Sequence, residues 1–142
     1  MKKSVLVGVI VVVIVITSYS IWTYVNNLDY LRKTVHETDR WAVITDSYGD
    51  IIAVETTNDE IWDTLNDLHQ NQTEMWIGGI VEEYTNTWGF RFQPDTIIIA
   101  KFTVEGGQTT IEGISDDLDY WMDTWGTWTY VLARTTEIHE ST

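Results

Sequence analysis

Cysteine is absent from this chain of 142 residues, and proline occurs once, at Pro94. The lack of cysteine excludes disulfides, a thiolate zinc site and a thiol nucleophile. Any domain that this chain forms outside the cytoplasm must therefore be held together by packing alone. Eight Trp and a hydrophobic content of 44% supply the material for such a core.

Basic residues are also scarce, because eight Lys and Arg stand against 22 Asp and Glu, for a formal net charge of −14. This charge argues against binding to nucleic acid and against association with an anionic lipid surface, since both are negatively charged. It is compatible with cationic protein partners, metal cations or high salt, and it favours solubility. All the acidic residues follow Trp22, so the negative charge belongs to the chain beyond its first apolar segment.

A long apolar segment occupies the first part of the chain. Two lysines precede an unbroken apolar run, Val5–Ile16, and the segment continues to Trp22. An α-helix from Val5 to Trp22 measures about 27 Å, close to the hydrocarbon thickness of a bilayer. Because positive charge stays on the cytoplasmic side, the pattern predicts a single-pass membrane protein with a cytoplasmic N-terminus and an extracytoplasmic C-terminal domain. The twelve-residue run also suits a signal peptide cleaved near Ser20, which predicts a secreted domain instead.

The sequence predicts three segments: a signal-anchor or transmembrane helix at 1–25, a stalk or linker at 26–38, and an extracytoplasmic α+β domain at 39–142. Leu28, Leu31 and Val35 lie at near-helical spacing in the stalk. Their apolar stripe is narrow, so both a continuing helix and a flexible tether stay open.

The domain pattern predicts the order β-β-α-β-β-β-α-β, an α+β fold with a mainly antiparallel sheet and two helices. Runs of β-branched and aromatic residues mark the strands, and apolar residues at i, i+4 and i+7 mark the first helix. The predicted strands lie at 41–45, 51–55, 74–84, 88–92, 96–104 and 128–138, and the predicted helices run from about 59 to 71 and from 108 to 123.

One stretch of the domain has a recognisable order of residues, in which Trp88 and Phe90 are followed by the pair Pro94-Asp95 and then by Glu105. From Ile77 to Trp121 it resembles the small N-terminal domain of a calmodulin-binding-protein family, and from Asp39 to Ile138 it does so more loosely. The resemblance implies an extracytoplasmic module and carries no implication about calmodulin itself. The matching positions are Trp88, Phe90, Pro94, Asp95 and Glu105.

The chain departs from the family pattern at Gly107, where the family often has Cys two residues after the glutamate. A role that depends on that cysteine is therefore not expected here. The motif also has a structural interpretation, in which alternating aromatic residues build the core and Asp95 ties a turn by bonding to nearby backbone amides.

Carboxylates offer the strongest sequence signal for a metal site. Asp116, Asp119 and Asp123 share one face of the predicted second helix, and three carboxylates on one face can recruit Ca²⁺. Asp46 and Asp50 in the predicted hairpin turn are a weaker Ca²⁺ candidate. In both places a solvated helix face or an ordinary turn is the competing interpretation, and no other cofactor is predicted.

Trp121, Trp125 and Trp128 cluster near the end of the same predicted helix. Exposed indoles with carboxylates nearby can stack on sugars, which predicts a glycan-binding surface, whereas indoles packed inward predict core. Three histidines, His36, His69 and His139, are isolated in the sequence and match no metal-binding spacing.

Asn71 begins an Asn-Gln-Thr sequence, the acceptor pattern for N-glycosylation outside the cytoplasm.

We therefore expect a non-enzymatic, membrane-anchored extracytoplasmic module that binds a protein partner, including service as an accessory subunit of a membrane complex. One alternative is a secreted module that binds Ca²⁺ or glycans. Another is a small hydrolase, which the abundance of carboxylates permits although no catalytic pair stands out.

Overall fold

The computed structural model describes residues 2–33, 36–103, 107–125 and 129–141. The chain divides into two compact units, Met1–Thr34 and Val35–Thr142. The second unit thus includes His36, Glu37 and Thr38, which the sequence analysis assigned to the stalk.

The first unit is built on one α-helix, α1 (Lys2–Lys33). Its segment Lys2–Val25 has a mean hydropathy of 2.6 and no buried residues in its most apolar window. Among the described residues, this is the one helix long and apolar enough to span a membrane. The hydroxyls of Thr17, Ser20 and Thr23 donate to the carbonyls four residues earlier, which satisfies these polar groups within the helix. The prediction of an N-terminal apolar helix is confirmed.

The second unit is an α+β fold with a mainly antiparallel sheet, as predicted. The strands are β1 (Arg40–Asp46), β2 (Ile51–Glu55), β3 (Met75–Gly79), β4 (Val81–Glu83), β5 (Phe90–Phe92), β6 (Ile98–Ala100), β7 (Gln108–Thr109) and β8 (Thr129–Glu140). The main sheet has the strand order β2-β1-β8-β3-β6, with β7 pairing parallel to β8, and β4 and β5 form a separate two-stranded sheet. The helices are α2 (Asp59–Asn71), α3 (Ile111–Asp116) and α4 (Leu118–Trp125).

The long strand β8 organises the sheet. Arg40 pairs with Glu140, and the β1 register then runs along β8 to Asp46, which pairs with Ala133. Met75 pairs with the same alanine from the opposite edge of β8. β1 and β3 therefore occupy different halves of β8, one on each side.

The core lies where alternate strand residues meet the helices. Ala42, Ile44, Ile77, Val131 and Ala133 come from the sheet, and their side chains alternate with others on the opposite face. Trp62, Leu65 and Leu68 recur at i, i+3 and i+6 along α2 and are buried against this face. The spacing thus makes α2 amphipathic, with its acidic residues on the solvent side.

The caps of α2 explain its bounds. Asn58 precedes the helix, and its side-chain oxygen accepts from the backbone N–H of Ile61 at 3.0 Å. At the other end Gln72 adopts a left-handed conformation, with φ 49° and ψ 42°, and its N–H bonds to the Leu68 carbonyl. The predicted helix from about 59 to 71 is confirmed.

The predicted helix at 108–123 is wrong as a single element. Gln108 and Thr109 pair with β8, and α3 begins only after Thr110, whose side chain accepts from the N–H of Gly113. Asp117 (φ −141°, ψ 58°) then leaves helical geometry and separates α3 from α4. Pairing to β8 and the local cap therefore override the helical periodicity.

Three predicted strands are also divided or shortened. The strand predicted at 96–104 is reduced to β6, because it pairs with β3 over only three residues; residue 104 lies outside the described ranges. The predicted strand 74–84 breaks at Ile80 into β3 and β4, because Thr96 and Gln93 bond to Ile80 in place of a strand partner. The strand predicted at 88–92 begins only at Phe90, since Gly89 has φ 78° in a turn closed by Asn86.

Candidate functional site

The three aspartates of the proposed Ca²⁺ face lie on two helices. Asp116 ends α3, whereas Asp119 and Asp123 belong to α4, and all three are exposed. The break at Asp117 removes the single-helix geometry on which the i, i+3, i+7 argument depended. Within the described ranges, no group of three or more His, Asp or Glu side chains is placed to hold a metal ion.

The hairpin turn uses Asp46 as a structural acceptor. Its Oδ1 accepts from the backbone N–H of Tyr48 at 2.9 Å and of Asp50 at 3.1 Å, and its Oδ2 accepts from the N–H of Ile111 at 3.0 Å. The residue is only 6% exposed. Both carboxylate oxygens are thus engaged by the backbone, which leaves little capacity for a cation.

Asp50 lies beside this buried carboxylate. Partial burial raises the pKa of Asp50, and the negative charges of Asp46 and Glu112 raise it further. Additional negative charge in this turn is therefore unfavourable. The described side chains of the turn do not supply the ligand set of a Ca²⁺ loop.

Trp121 belongs to the core. It is 9% exposed, its indole Nε1–H donates to the carbonyl of Gly113 at 3.1 Å, and the Tyr120 ring meets it edge-on at 5.1 Å. It therefore presents no open face to a sugar. The side chain of Trp125 and the whole of Trp128 lie outside the described residues, so the predicted glycan platform is untested at those two positions.

The aromatic residues of the family motif build the core around β5. Phe90 and Phe92 are almost fully buried and meet edge-to-face at 5.9 Å. Trp88 is half-buried, and its Nε1–H donates to the Ile51 carbonyl at 2.8 Å. The Trp88 hydrogen bond joins the turn before β5 to β2, and the burial of both phenylalanines agrees with the structural interpretation of the motif.

The Pro94-Asp95 pair makes a turn in which the Thr96 N–H donates to the Gln93 carbonyl. Asp95 has φ 63°, a conformation that aspartate tolerates better than most residues. Its Oδ1 accepts from the Thr57 N–H at 2.5 Å and the Thr57 hydroxyl at 2.8 Å. The expectation that Asp95 bonds to its own turn is wrong, because the side chain ties two loops 38 residues apart. Glu105 lies outside the described residues.

Sequence patterns did not predict an ionic cluster, which we call the Glu55 cluster and which comprises His36, Glu37, Glu55, Glu82 and Arg91. Glu55 is buried, whereas the side chain of Glu37 is 60% exposed. Arg91 donates from Nε to Glu82 at 2.6 Å and from an Nη to Glu37 at 2.7 Å, and its other Nη lies 3.7 Å from Glu55. The Tyr84 ring lies 4.3 Å from the guanidinium carbon. The cluster joins β2, β4 and β5 to residues 36–38.

Glu55 is 6% exposed and accepts from the backbone N–H groups of Glu37 at 2.8 Å and Thr38 at 3.1 Å. Burial acts to raise the pKa of Glu55, but the neighbouring His36 and the hydrogen bonds from these amides lower it more, so the pKa lies below its ordinary value. The carboxylate is therefore held in its charged form and serves as an anchor for the start of the unit.

Two of the histidines flank a single indole beside this cluster. His36 stacks on Trp41 at 4.1 Å between ring centroids, and His139 stacks on it at 4.0 Å. The third, His69, lies at the end of α2, where its Nδ1 is 3.2 Å from the Thr135 carbonyl. The histidines are thus used in packing and hydrogen bonding, and Glu55 lies 3.7 Å from His36.

A faint signal for the Glu55 cluster exists in the sequence. Arg91 stands between Phe90 and Phe92, so strand alternation places it opposite the core aromatics. The alternation does not reveal that Glu37 and Glu55 converge on that side, because the pairing of β5 with its neighbours is a tertiary property.

The chain matches no protein-family model, and no curated protein or solved structure is significantly similar to it. The resemblance to the N-terminal domain of a calmodulin-binding-protein family therefore stays a prediction.

Proposed function

We propose that this protein is a membrane-anchored module whose α+β unit lies outside the cytoplasm and binds a protein partner without catalysing a reaction. The observation that carries the proposal is α1, whose apolar surface is left uncovered along Lys2–Val25. Exposed Val and Ile side chains over that length are unfavourable in water and favourable in hydrocarbon.

The distribution of charge along the chain supports an orientation with the N-terminus in the cytoplasm and the α+β unit outside it. Lys2 and Lys3 lie before the span, and the 22 acidic residues all lie after it. Positive residues are retained on the cytoplasmic side, which would leave the acidic unit outside. Service as an accessory subunit of a membrane complex fits this arrangement, and so does the extracytoplasmic location that the family resemblance implies.

The buried polar groups support a binding role over catalysis. Asp46 and Glu55 are the buried carboxylates of the described residues, and both are occupied by backbone N–H donors. A general acid or base needs a carboxylate that can reach a substrate, often with a pKa raised toward neutrality. The pKa of Glu55 is lowered instead, as suits an anchor.

The surface chemistry favours a cationic partner. The solvent side of α2 carries Asp59, Glu60, Asp63 and Asp67, and the net charge of the whole chain is −14. Phe102, 89% exposed, and Tyr48, 78% exposed, are the most exposed aromatic side chains described. Exposed aromatic side chains are enriched at protein interfaces, where they serve as anchors inside a polar rim.

The first test is extraction of the full chain from its own membranes in mild detergent, followed by native mass measurement and identification of associated proteins. We expect a defined assembly and an N-terminus that retains the apolar helix. A lone species of monomer mass that copurifies with nothing would contradict the proposal. A start near Ile21 would contradict the anchor and favour the secreted alternative, to be tested with Ca²⁺ and glycans.

Substitutions of exposed aromatic residues test which side chains contact the partner. Phe102→Ser and Tyr48→Ser are expected to reduce recovery of the partner at least several-fold while leaving the thermal unfolding midpoint nearly unchanged, because both side chains are exposed. Tyr120→Ser, at an aromatic residue 44% exposed beside Trp121, is the matched control. Equal recovery with all three variants would remove the two aromatics from the proposal.

A further inference from the structure

We propose that Asn71 is a site of covalent N-linked glycosylation, a modification that rests on the proposed extracytoplasmic location. The acceptor pattern Asn71-Gln72-Thr73 is set at the end of α2. All three residues are exposed. A transferred glycan at this position therefore projects into solvent and displaces no core side chain.

The backbone at the acceptor forms a tight turn. The N–H groups of Gln72 and Thr73 both bond to the Leu68 carbonyl, the latter at 3.3 Å. The Gln72 amide turns back to the carbonyls of His69, at 2.6 Å, and Thr135, at 3.4 Å. The middle residue thus fastens the turn to the sheet, while the residues on either side of it carry the acceptor amide and the hydroxyl.

The amide of Asn71 differs from those of other asparagines in the unit. Asn66 donates its amide to the Trp62 carbonyl at 2.9 Å, and Asn86 donates to the Phe90 carbonyl at 2.7 Å. The side-chain oxygen of Asn58 caps α2. In the described part of the chain, the Asn71 side chain makes no hydrogen bond, so converting its amide nitrogen to a glycosidic linkage breaks no contact of the fold.

The acceptor also lies far from the beginning of the unit. Arg40, the first residue of β1, bonds to Asp59 at the start of α2, at 2.5 Å. Asn71 is the last of the 13 residues of that helix, about 20 Å further along. A glycan there is clear of the Glu55 cluster and of the segment through which the chain enters the unit.

The donor belongs to the class of lipid-linked oligosaccharides, in which a phosphate group joins the sugar to a polyisoprenoid. The Asn71 amide nitrogen forms a bond to the anomeric carbon, the bond from that carbon to the phosphate oxygen breaks, and the lipid phosphate leaves. The amide loses one proton to a base of the transferase. No oxidant or reductant takes part.

The experiment measures the mass of the full chain purified from the cells that make it, and of its proteolytic peptide containing Asn71. We expect a discrete increment made of sugar units on that peptide. Asn71→Gln and Thr73→Ala should abolish the increment. Thr73→Ser, which retains the acceptor hydroxyl, should keep it and is the matched control.

Protease added to intact cells distinguishes a failure of the glycosylation proposal alone from a failure of the proposed extracytoplasmic location. If the α+β unit is digested from outside while Asn71 is unmodified, the glycosylation proposal is overturned and the location stands. If the unit is protected until the membrane is broken, both the location and the glycosylation proposal are overturned. An increment that persists in Asn71→Gln would place the modification elsewhere and also overturn this assignment.

Discussion

Asp46, the last residue of β1, accepts a hydrogen bond from the backbone N–H of Ile111, the first residue of α3, at 3.0 Å. The two residues are 65 positions apart in the chain. The same carboxylate closes the β1–β2 turn, so one buried side chain joins the hairpin to the helical part of the unit.

Replacing Asp46 with Ala is expected to lower the free energy of unfolding by about 2–4 kcal/mol, because three backbone N–H groups lose their charged acceptor. Chemical denaturation followed by circular dichroism measures the change. Asp67→Ala, at an exposed position of α2, is the control and should alter stability by less than about 0.5 kcal/mol. Equal effects of the two substitutions would contradict the role of Asp46.

We expect Thr→Val substitutions at two buried threonines to change the free energy of unfolding in different ways. The Thr135 hydroxyl is buried and has no hydrogen-bond partner among the described residues, whereas Thr56 accepts from the Asn58 N–H at 3.1 Å. We expect Thr135→Val to leave the free energy of unfolding unchanged or raise it by about 1 kcal/mol. Thr56→Val should lower it by about 1–2 kcal/mol. Urea titration of both variants checks the pair, and a loss at Thr135 as large as at Thr56 would refute the difference.

The lowered pKa of Glu55 predicts how acid affects stability. Because the folded state holds the carboxylate charged, Glu55 contributes stability above its ordinary pKa of 4.5, and the contribution is lost as pH falls through the lower folded-state pKa. Glu55→Gln should therefore lower the unfolding midpoint at pH 7 and reduce its dependence on pH below 4.5. Thermal scans from pH 3 to 7 test this, with Glu83→Gln, at an exposed residue of β4, as control.

The raised pKa of Asp50 predicts an effect of pH on stability opposite to that of Glu55. Its pKa is raised, chiefly by burial, so its ionised form opposes folding at neutral pH and the penalty disappears as the group protonates. Asp50→Asn should raise the unfolding midpoint at pH 7 and have a smaller effect near pH 3. A midpoint that falls at pH 7 would show that the charge contributes favourably.

Gly78 allows a close approach between strands. A Cβ built on this residue would overlap the carbonyl oxygen of Thr129, which belongs to the neighbouring strand β8. Gly78→Ala is therefore expected to lower the free energy of unfolding by at least about 2 kcal/mol, because backbone atoms must shift to relieve the overlap. Ala53→Gly in β2 is a control that removes a methyl group without adding one, and it should cost about 1 kcal/mol.

The sequence predicted those parts of the fold that depend on local patterns. The spacing of Ile61, Leu65 and Leu68 lies within α2, and the Asn58 cap directly precedes it, so the prediction of that helix is confirmed. The division of the second predicted helix was missed, because Gln108 and Thr109 pair with β8, some 20 residues away.

The same distinction applies to the candidate sites. The carboxylates of Asp116, Asp119 and Asp123 were grouped by spacing, which the break at Asp117 changes. The Glu55 cluster unites residues from positions 36, 37, 55, 82 and 91, and no local pattern connects these four parts of the chain. Such long-range convergence depends on tertiary packing, which a single sequence does not reveal.

The position of β8 has a consequence for folding kinetics. This strand follows every other described element in the chain, yet it contacts β1, β3 and β7, and its pairing of Glu140 with Arg40 spans 100 residues. Closing such a loop costs chain entropy before any stabilising contact forms, so topology of this kind slows folding. During synthesis, β1 and β3 can pair with β8 only after β8 itself has been synthesised. The main sheet of the unit therefore cannot be completed until β8 is available to pair with both β1 and β3.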